Sequence, residues 1–166
     1  MHSLIGRWLA GGLVAVTLAG CSSPAVSPPT AAPTSVAKPA VSGNPVAPRP
    51  TDASLKIMSP KAGDALSVGG VKVSVNYTGP ALIPGAEAKK LDDYHLHYFL
   101  DEDAGAYVGS GMPIPTGNPK IVHSAAKEVS FDNVPPGAHT VSVVMSGNNY
   151  VSVNAPLSDT VSFTVK

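Results

Sequence analysis

Val71, Val73, Val75 and Tyr77 occupy every second position of a stretch whose intervening residues are Lys72, Ser74 and Asn76. A helix would scatter these side chains around its circumference, whereas a strand sets all four on one face. The same period of two recurs at 93–101, 138–145 and 159–165, and shorter strand-length runs stand at 55–58, 120–124 and 128–131. Turn formers separate them: Ser59-Pro60-Lys61-Ala62-Gly63-Asp64, Gly79-Pro80, Asp101-Glu102-Asp103-Ala104-Gly105 and Gly147-Asn148-Asn149. Helical signal is confined to 86–90, where Pro84-Gly85 limits it to about a turn. About seven short strands joined by such turns specify an all-β antiparallel sandwich over 54–166. Its inward residues are Ile57, Val71, Val73, Val75, Leu96, Tyr98, Leu100, Phe131, Val141, Val143, Met145, Val161, Phe163 and Val165. That core suffices without a disulfide, and the single cysteine, Cys21, lies far from it.

The start of the chain obeys different rules. Residues 1–20 carry His2 and Arg7, then an apolar run through Leu9, Leu13, Val14 and Val16, then small residues. This is the layout of a secretory signal peptide, too short and glycine-rich for a stable membrane span. It ends in Leu18-Ala19-Gly20-Cys21, which resembles the bacterial lipobox. The resemblance implies cleavage before Cys21, a covalent lipid (diacylglyceryl) on its sulfur and usually an acyl group on the new amino terminus. An ordinary signal peptide with a chance cysteine is the bland alternative. Two or three acyl chains hold a protein firmly at a membrane, where one binds only marginally. The protein is therefore expected outside the cytoplasm, lipid-anchored to a cell membrane or outer membrane of a bacterium.

Residues 21–53 follow as Pro, Ala, Ser, Thr and Val with almost no charge. Frequent proline removes backbone donors and fixes φ, so this stretch is expected to be a disordered spacer with polyproline II character. Lys and Arg number 11, as do Asp and Glu, and the formal net charge is zero. With no basic cluster either, the composition argues against a nucleic-acid partner.

The strand at 93–101 reads Asp93-Tyr94-His95-Leu96-His97-Tyr98-Phe99-Leu100-Asp101. Alternation sends Leu96, Tyr98 and Leu100 into the core and His95 and His97 together to the other face, Cα atoms about 6.5–7 Å apart. That separation lets both imidazoles reach one ion, with His123 or His139 as the third ligand if their strands are neighbours. Neutral imidazole suits copper or zinc, and Met112 or Met145 would favour cuprous copper. The competing reading is a solvent-facing or partly covered strand face, its histidines hydrogen-bonded to Thr140 or Ser142, with His123 an exposed edge residue. Asp101, Glu102 and Asp103 read as a solvated acidic turn, because the calcium-loop pattern is not completed. The 109–119 loop, rich in Gly and Pro, is expected at the surface, where loops of this length often carry function.

Three resemblances bear on this domain. Val134-Pro135-Pro136-Gly137-Ala138-His139-Thr140-Val141 resembles the turn-plus-strand of immunoglobulin-like and fibronectin-type sandwiches, in which a tyrosine forms a corner by bonding nearby backbone. Here His139 stands in the corner position. The stretch 55–165 is similar to a group of bacterial extracytoplasmic domains of unknown function. They share a His-x-His-Tyr-x-Leu-Asp strand, a later His and a Pro-Gly-x-His-Thr strand start, matched by His95, His97, His123 and His139. At Asn148-Asn149-Tyr150 the chain departs from that group, which often has a histidine there. The His95/His97 chelate also resembles those of carbonic anhydrases and copper–zinc superoxide dismutases, although the remaining dismutase ligands are absent.

No Gly-x-Ser-x-Gly elbow or His-Glu-x-x-His helix occurs, and a cysteine committed to lipid cannot act as a nucleophile, so the chain reads as a non-enzyme. Three functions remain open. One is a non-catalytic binding module presented to an envelope protein or polymer. Another is a copper- or zinc-binding lipoprotein. The third is a structural accessory subunit of an envelope complex.

Overall fold

In the computed structural model, which describes residues 43–166, the period-two stretches become strands of two packed sheets. The expected signal peptide, Cys21 and the expected spacer up to residue 42 lie outside the described residues. In chain order the strands are β1 (Ser54–Ser59), β2 (Ala65–Leu66), β3 (Gly69–Thr78), β4 (His95–Leu100), β5 (Ile121–Ser124), β6 (Glu128–Val134), β7 (Gly137–Ser146) and β8 (Ser158–Val165). One sheet has the order β1-β3-β6 and the other β2-β8-β7-β4-β5. All pairings are antiparallel except that of β2, a two-residue strand not foreseen, which runs parallel to β8. Leaving β2 aside, the first, second and fifth strands form one sheet and the others the second. This is the Greek-key arrangement of immunoglobulin- and fibronectin-like sandwiches.

The facing sides of the two sheets make the main core. Every residue expected to point inward is buried, and β3 alternates cleanly, with Val71, Val73, Val75 and Tyr77 inside. Tyr98 buries its ring in this core and sends its hydroxyl to the Ala126 carbonyl at 2.7 Å, so no polar atom is stranded there. The helical signal at 86–90 amounts to one turn, with the amides of Glu87 and Ala88 bonded to the Pro84 carbonyl.

Two expectations are corrected here. The spacer does not run free to residue 53. Residues 44–53 lie along the domain as a strap: Ala47 is fully buried, Arg49 N donates to Asn154 O, and Asn154 N donates to Ala47 O. The Tyr94 hydroxyl and Asn149 Nδ2 donate to the carbonyls of Pro48 and Pro45. Proline lacks a donor but keeps its acceptor, so a proline-rich segment can still be tied down through its carbonyls.

The second correction concerns the outer face of the larger sheet, which is not a solvent-facing surface. All six residues of β4 are buried. Phe99, Ile121 and Val144 on that face pack with Ala104 and Ile114 into a second apolar cluster, flanked by Tyr107, Val108 and Tyr150. The 109–119 loop therefore folds down as a cover. Ile114 N donates to Tyr150 O at 2.9 Å, and Gly109 N to Ser152 Oγ at 2.8 Å, which binds this loop to the one at 147–157.

Candidate metal centre

Register assembles the site. On the covered face of β4, His95 lies opposite Ser146 of β7, and His97 lies between Val144 of β7 and His123 of β5. The edge strand β5 is placed by a turn in which Asn118 accepts twice, its carbonyl from Ile121 N and its side chain from Lys120 N. Gly147 then lets the chain leave β7 close to its neighbours. A Cβ there would collide with the Leu91 carbonyl oxygen and lie 2.9 Å from Ala47 Cβ. Three residues later Tyr150, at φ +64°, lays its ring across the cluster.

One nitrogen from each of His95, His97 and His123 lies within 4.8 Å of the others. The Nε2 atoms of His95 and His97 are 3.0 Å apart, close to the ~3.3 Å that separates two ligands on a tetrahedral zinc ion. The ring centroids of His97 stand 4.7 Å from His95 and 4.2 Å from His123. The Tyr150 ring is near-perpendicular to all three, 4.9–5.5 Å away. Ser146 Oγ completes the group, 2.7 Å from His97 Nε2 and 3.4 Å from His95 Nε2.

Hydrogen bonding inside this cluster is incomplete. His123 Nε2 meets the Pro115 carbonyl at 3.0 Å, and because a carbonyl only accepts, Nε2 carries the proton and Nδ1 keeps its lone pair. Ser146 donates to Gly147 O, so it accepts from His97 Nε2. The Nδ1 atoms of all three rings are buried without a partner. An unpaired buried polar atom costs about 1–3 kcal/mol, and three together call for an explanation. Burial, and secondarily the neighbouring imidazoles, lowers the His95 pKa to about 4 and that of His97 well below the usual value. Both rings are therefore neutral at neutral pH. Neutral imidazoles at His95 and His97, beside a His123 ring oriented by a carbonyl on its far nitrogen, fit a borderline transition-metal ion.

His139, the other candidate for third ligand, is excluded by topology. It lies on the core side of β7, seven residues from Ser146 and so about 23 Å along the strand. It occupies the corner instead: Nδ1 bonds Asp101 Oδ2 at 2.9 Å and Nε2 bonds the Pro135 carbonyl at 2.8 Å. Asp101 is exposed at its turn, as expected, and is also tied to the corner, since its Oδ1 accepts from Thr140 N. The hydrogen bond to Asp101 raises the His139 pKa against the opposing effect of burial. Burial pushes Asp101 up, but the Thr140 amide and the His139 ring outweigh it and hold the carboxyl below its ordinary value.

Other expected partners also move. Thr140 and Ser142 bond Ser162 and Thr160 of β8 rather than the histidines. Met145 faces the main core, opposite the cluster, and Met112 is exposed. Ser146 and Tyr150 escaped the sequence reading as site residues.

Fold and cluster together define an immunoglobulin-like β-sandwich with a three-histidine group under its loops, two of the rings buried and His123 half-buried. No family model matches the chain, and no curated protein matches it. Among solved structures it is similar to the fibronectin(III)-like modules of Clostridium thermocellum CbhA, at 13% identity and TM-score 0.39, over 68% of this chain and 45% of that one. An engineered protein gives 10% identity and TM-score 0.43 over 71% and 21% of the two chains. The PKD domain of human KIAA0319 gives 17% and 0.33 over 76% and 90%. The chain thus spans less than half the length of the first two.

Proposed function

We propose that this protein is an extracytoplasmic lipoprotein whose sandwich domain binds copper or zinc through His95, His97 and His123. One observation carries the reading: one nitrogen from each of three imidazoles converges within 4.8 Å, a spacing that a single ion can span. An ion on the facing Nε2 atoms of His95 and His97 takes the place of the contact between them, with His123 as the third ligand. The role is binding rather than catalysis. A lipid on Cys21 anchors the chain and the proline-rich spacer carries the domain away from the membrane, where an envelope protein or polymer could meet it.

The test is titration of the purified protein with copper and with zinc, beside a His95→Ala/His97→Ala variant. The wild type should bind one ion and the variant none; equal behaviour of the two sinks the metal reading. For the anchor, Cys21→Ala should move the protein from the detergent phase to the aqueous phase. Unchanged partition refutes lipidation.

A second reading, a module for an extended polar ligand, draws on one surface feature. A groove of about 860 Å³ runs past Thr140, Thr160, Ser162 and Thr164 near the corner, a row of hydroxyls suited to hydrogen bonding. Pull-down of envelope polymers by wild type but not by a Thr140→Val/Ser162→Val variant would favour it.

A further inference from the structure

We infer that the three-histidine centre selects monovalent cuprous copper over divalent ions, and that the Tyr150 ring enforces the choice. The inference rests on the metal reading and concerns which ion the centre takes. Its first support is charge. The donors are three imidazoles and one serine hydroxyl, none of them anionic. The acids at the two ends of β4 are committed elsewhere: Asp93 accepts from the amides of Lys89 and Lys90, and Asp101 from His139 and Thr140. His95 and His97 are 1% and 0% exposed, so an ion between them gives up its water without gaining a counter-charge. Desolvation cost grows with the square of the charge, which makes a divalent ion about four times as costly as a monovalent one here.

The second support is coordination number. Zinc takes four ligands, with water in the fourth place when the protein supplies only three. Here the space beside the imidazoles is taken by Tyr150, whose ring stands 4.9 Å from His123 and 5.1 Å from His95. Ser146, the remaining neighbour, donates its proton to Gly147 O and offers only a neutral oxygen. An aromatic face stabilises a desolvated cation but is no substitute for a water ligand. Three imidazoles beneath an aromatic cap suit a low-coordinate d10 monovalent ion.

The full-length protein, prepared free of metal, is titrated without oxygen with copper(I) held by a chromophoric chelator, and separately with zinc(II). Copper(I) should bind 1:1 and tighter than zinc(II) by about 100-fold. The bound copper should stay silent in electron paramagnetic resonance after exposure to air. Tyr150→Phe keeps the ring and should keep both properties. Tyr150→Ala admits water and should develop a copper(II) signal in air, with circular dichroism confirming that it is folded. Zinc(II) binding as tightly as copper(I) in the wild type, or a copper(II) signal there in air, overturns the selectivity and leaves the metal reading intact. Binding of neither ion overturns the metal reading and this inference with it.

Discussion

His95, His97 and His123 on one face of the larger sheet, and His139 on the other, show one residue type held in two opposite states. In the first region burial dominates, nothing nearby is negative, and His95 and His97 are kept neutral with lone pairs to spare. In the second, both ring nitrogens face pure acceptors, the Asp101 carboxylate and the Pro135 carbonyl, so only the doubly protonated ring satisfies both. Both regions are close to fully packed: His97 is 0% and His139 is 7% exposed. Depth therefore does not separate a ligand from a structural cation. The charge and donor character of the immediate partners does.

Metal binding at the three-histidine group should move stability most. An ion supplied at about 100 times its dissociation constant should stabilise the wild type by about 2.7 kcal/mol. It should leave His95→Ala/His97→Ala unmoved, while His139→Ala keeps the full ligand response; thermal unfolding with and without metal reads both.

Asp101→Asn attacks the other side. Asparagine tolerates the left-handed backbone at this position, φ +55°, so the charge is what changes. The loss should be about 1–3 kcal/mol in urea unfolding, toward the lower end because Asp101 is partly exposed. Metal binding should be unaltered.

Stability against pH sharpens the contrast. The pKa of His95 falls from 6.5 unfolded to about 4 folded, so without metal the unfolded chain takes up more protons below 6.5 and stability drops as pH falls through that window. His139 runs the other way. Its folded pKa is raised, so its contribution is whole below 6.5 and is lost as pH rises through the folded value. His139→Ala should remove the alkaline decline alone, and His95→Ala should weaken the acid decline alone. Denaturation midpoints between pH 4 and 9 would show the two limbs moving independently.

The smallest effect belongs to Ser146→Ala, which removes the hydroxyl beside His97. Metal-free stability should fall by about 1 kcal/mol, the low end for unpairing a buried group because His97 Nε2 keeps its contact with His95 Nε2, with the imidazole signals of His139 undisturbed in an NMR titration.

Local structure is what the order of residues dictates here. Alternation along 71–77, 93–101, 138–145 and 159–165 is enough to set the strands and their inward residues, because side-chain direction in a strand depends only on position along it. The same rule put His95 and His97 on one face together. The rest comes from contacts between segments distant in the chain. The pairing of β4 with β5 sets His123 opposite His97, while the course of β7 carries Ser146 to the cluster and leaves His139 at the corner. The folding of 101–120 and 147–157 over the sheet turned a polar strand face into a buried site and brought Tyr150 across it. The strap at 44–53 joined the domain through proline carbonyls that composition alone reads as a loose spacer. Register and loop docking are long-range contacts between separate segments, and no periodicity within one segment encodes them.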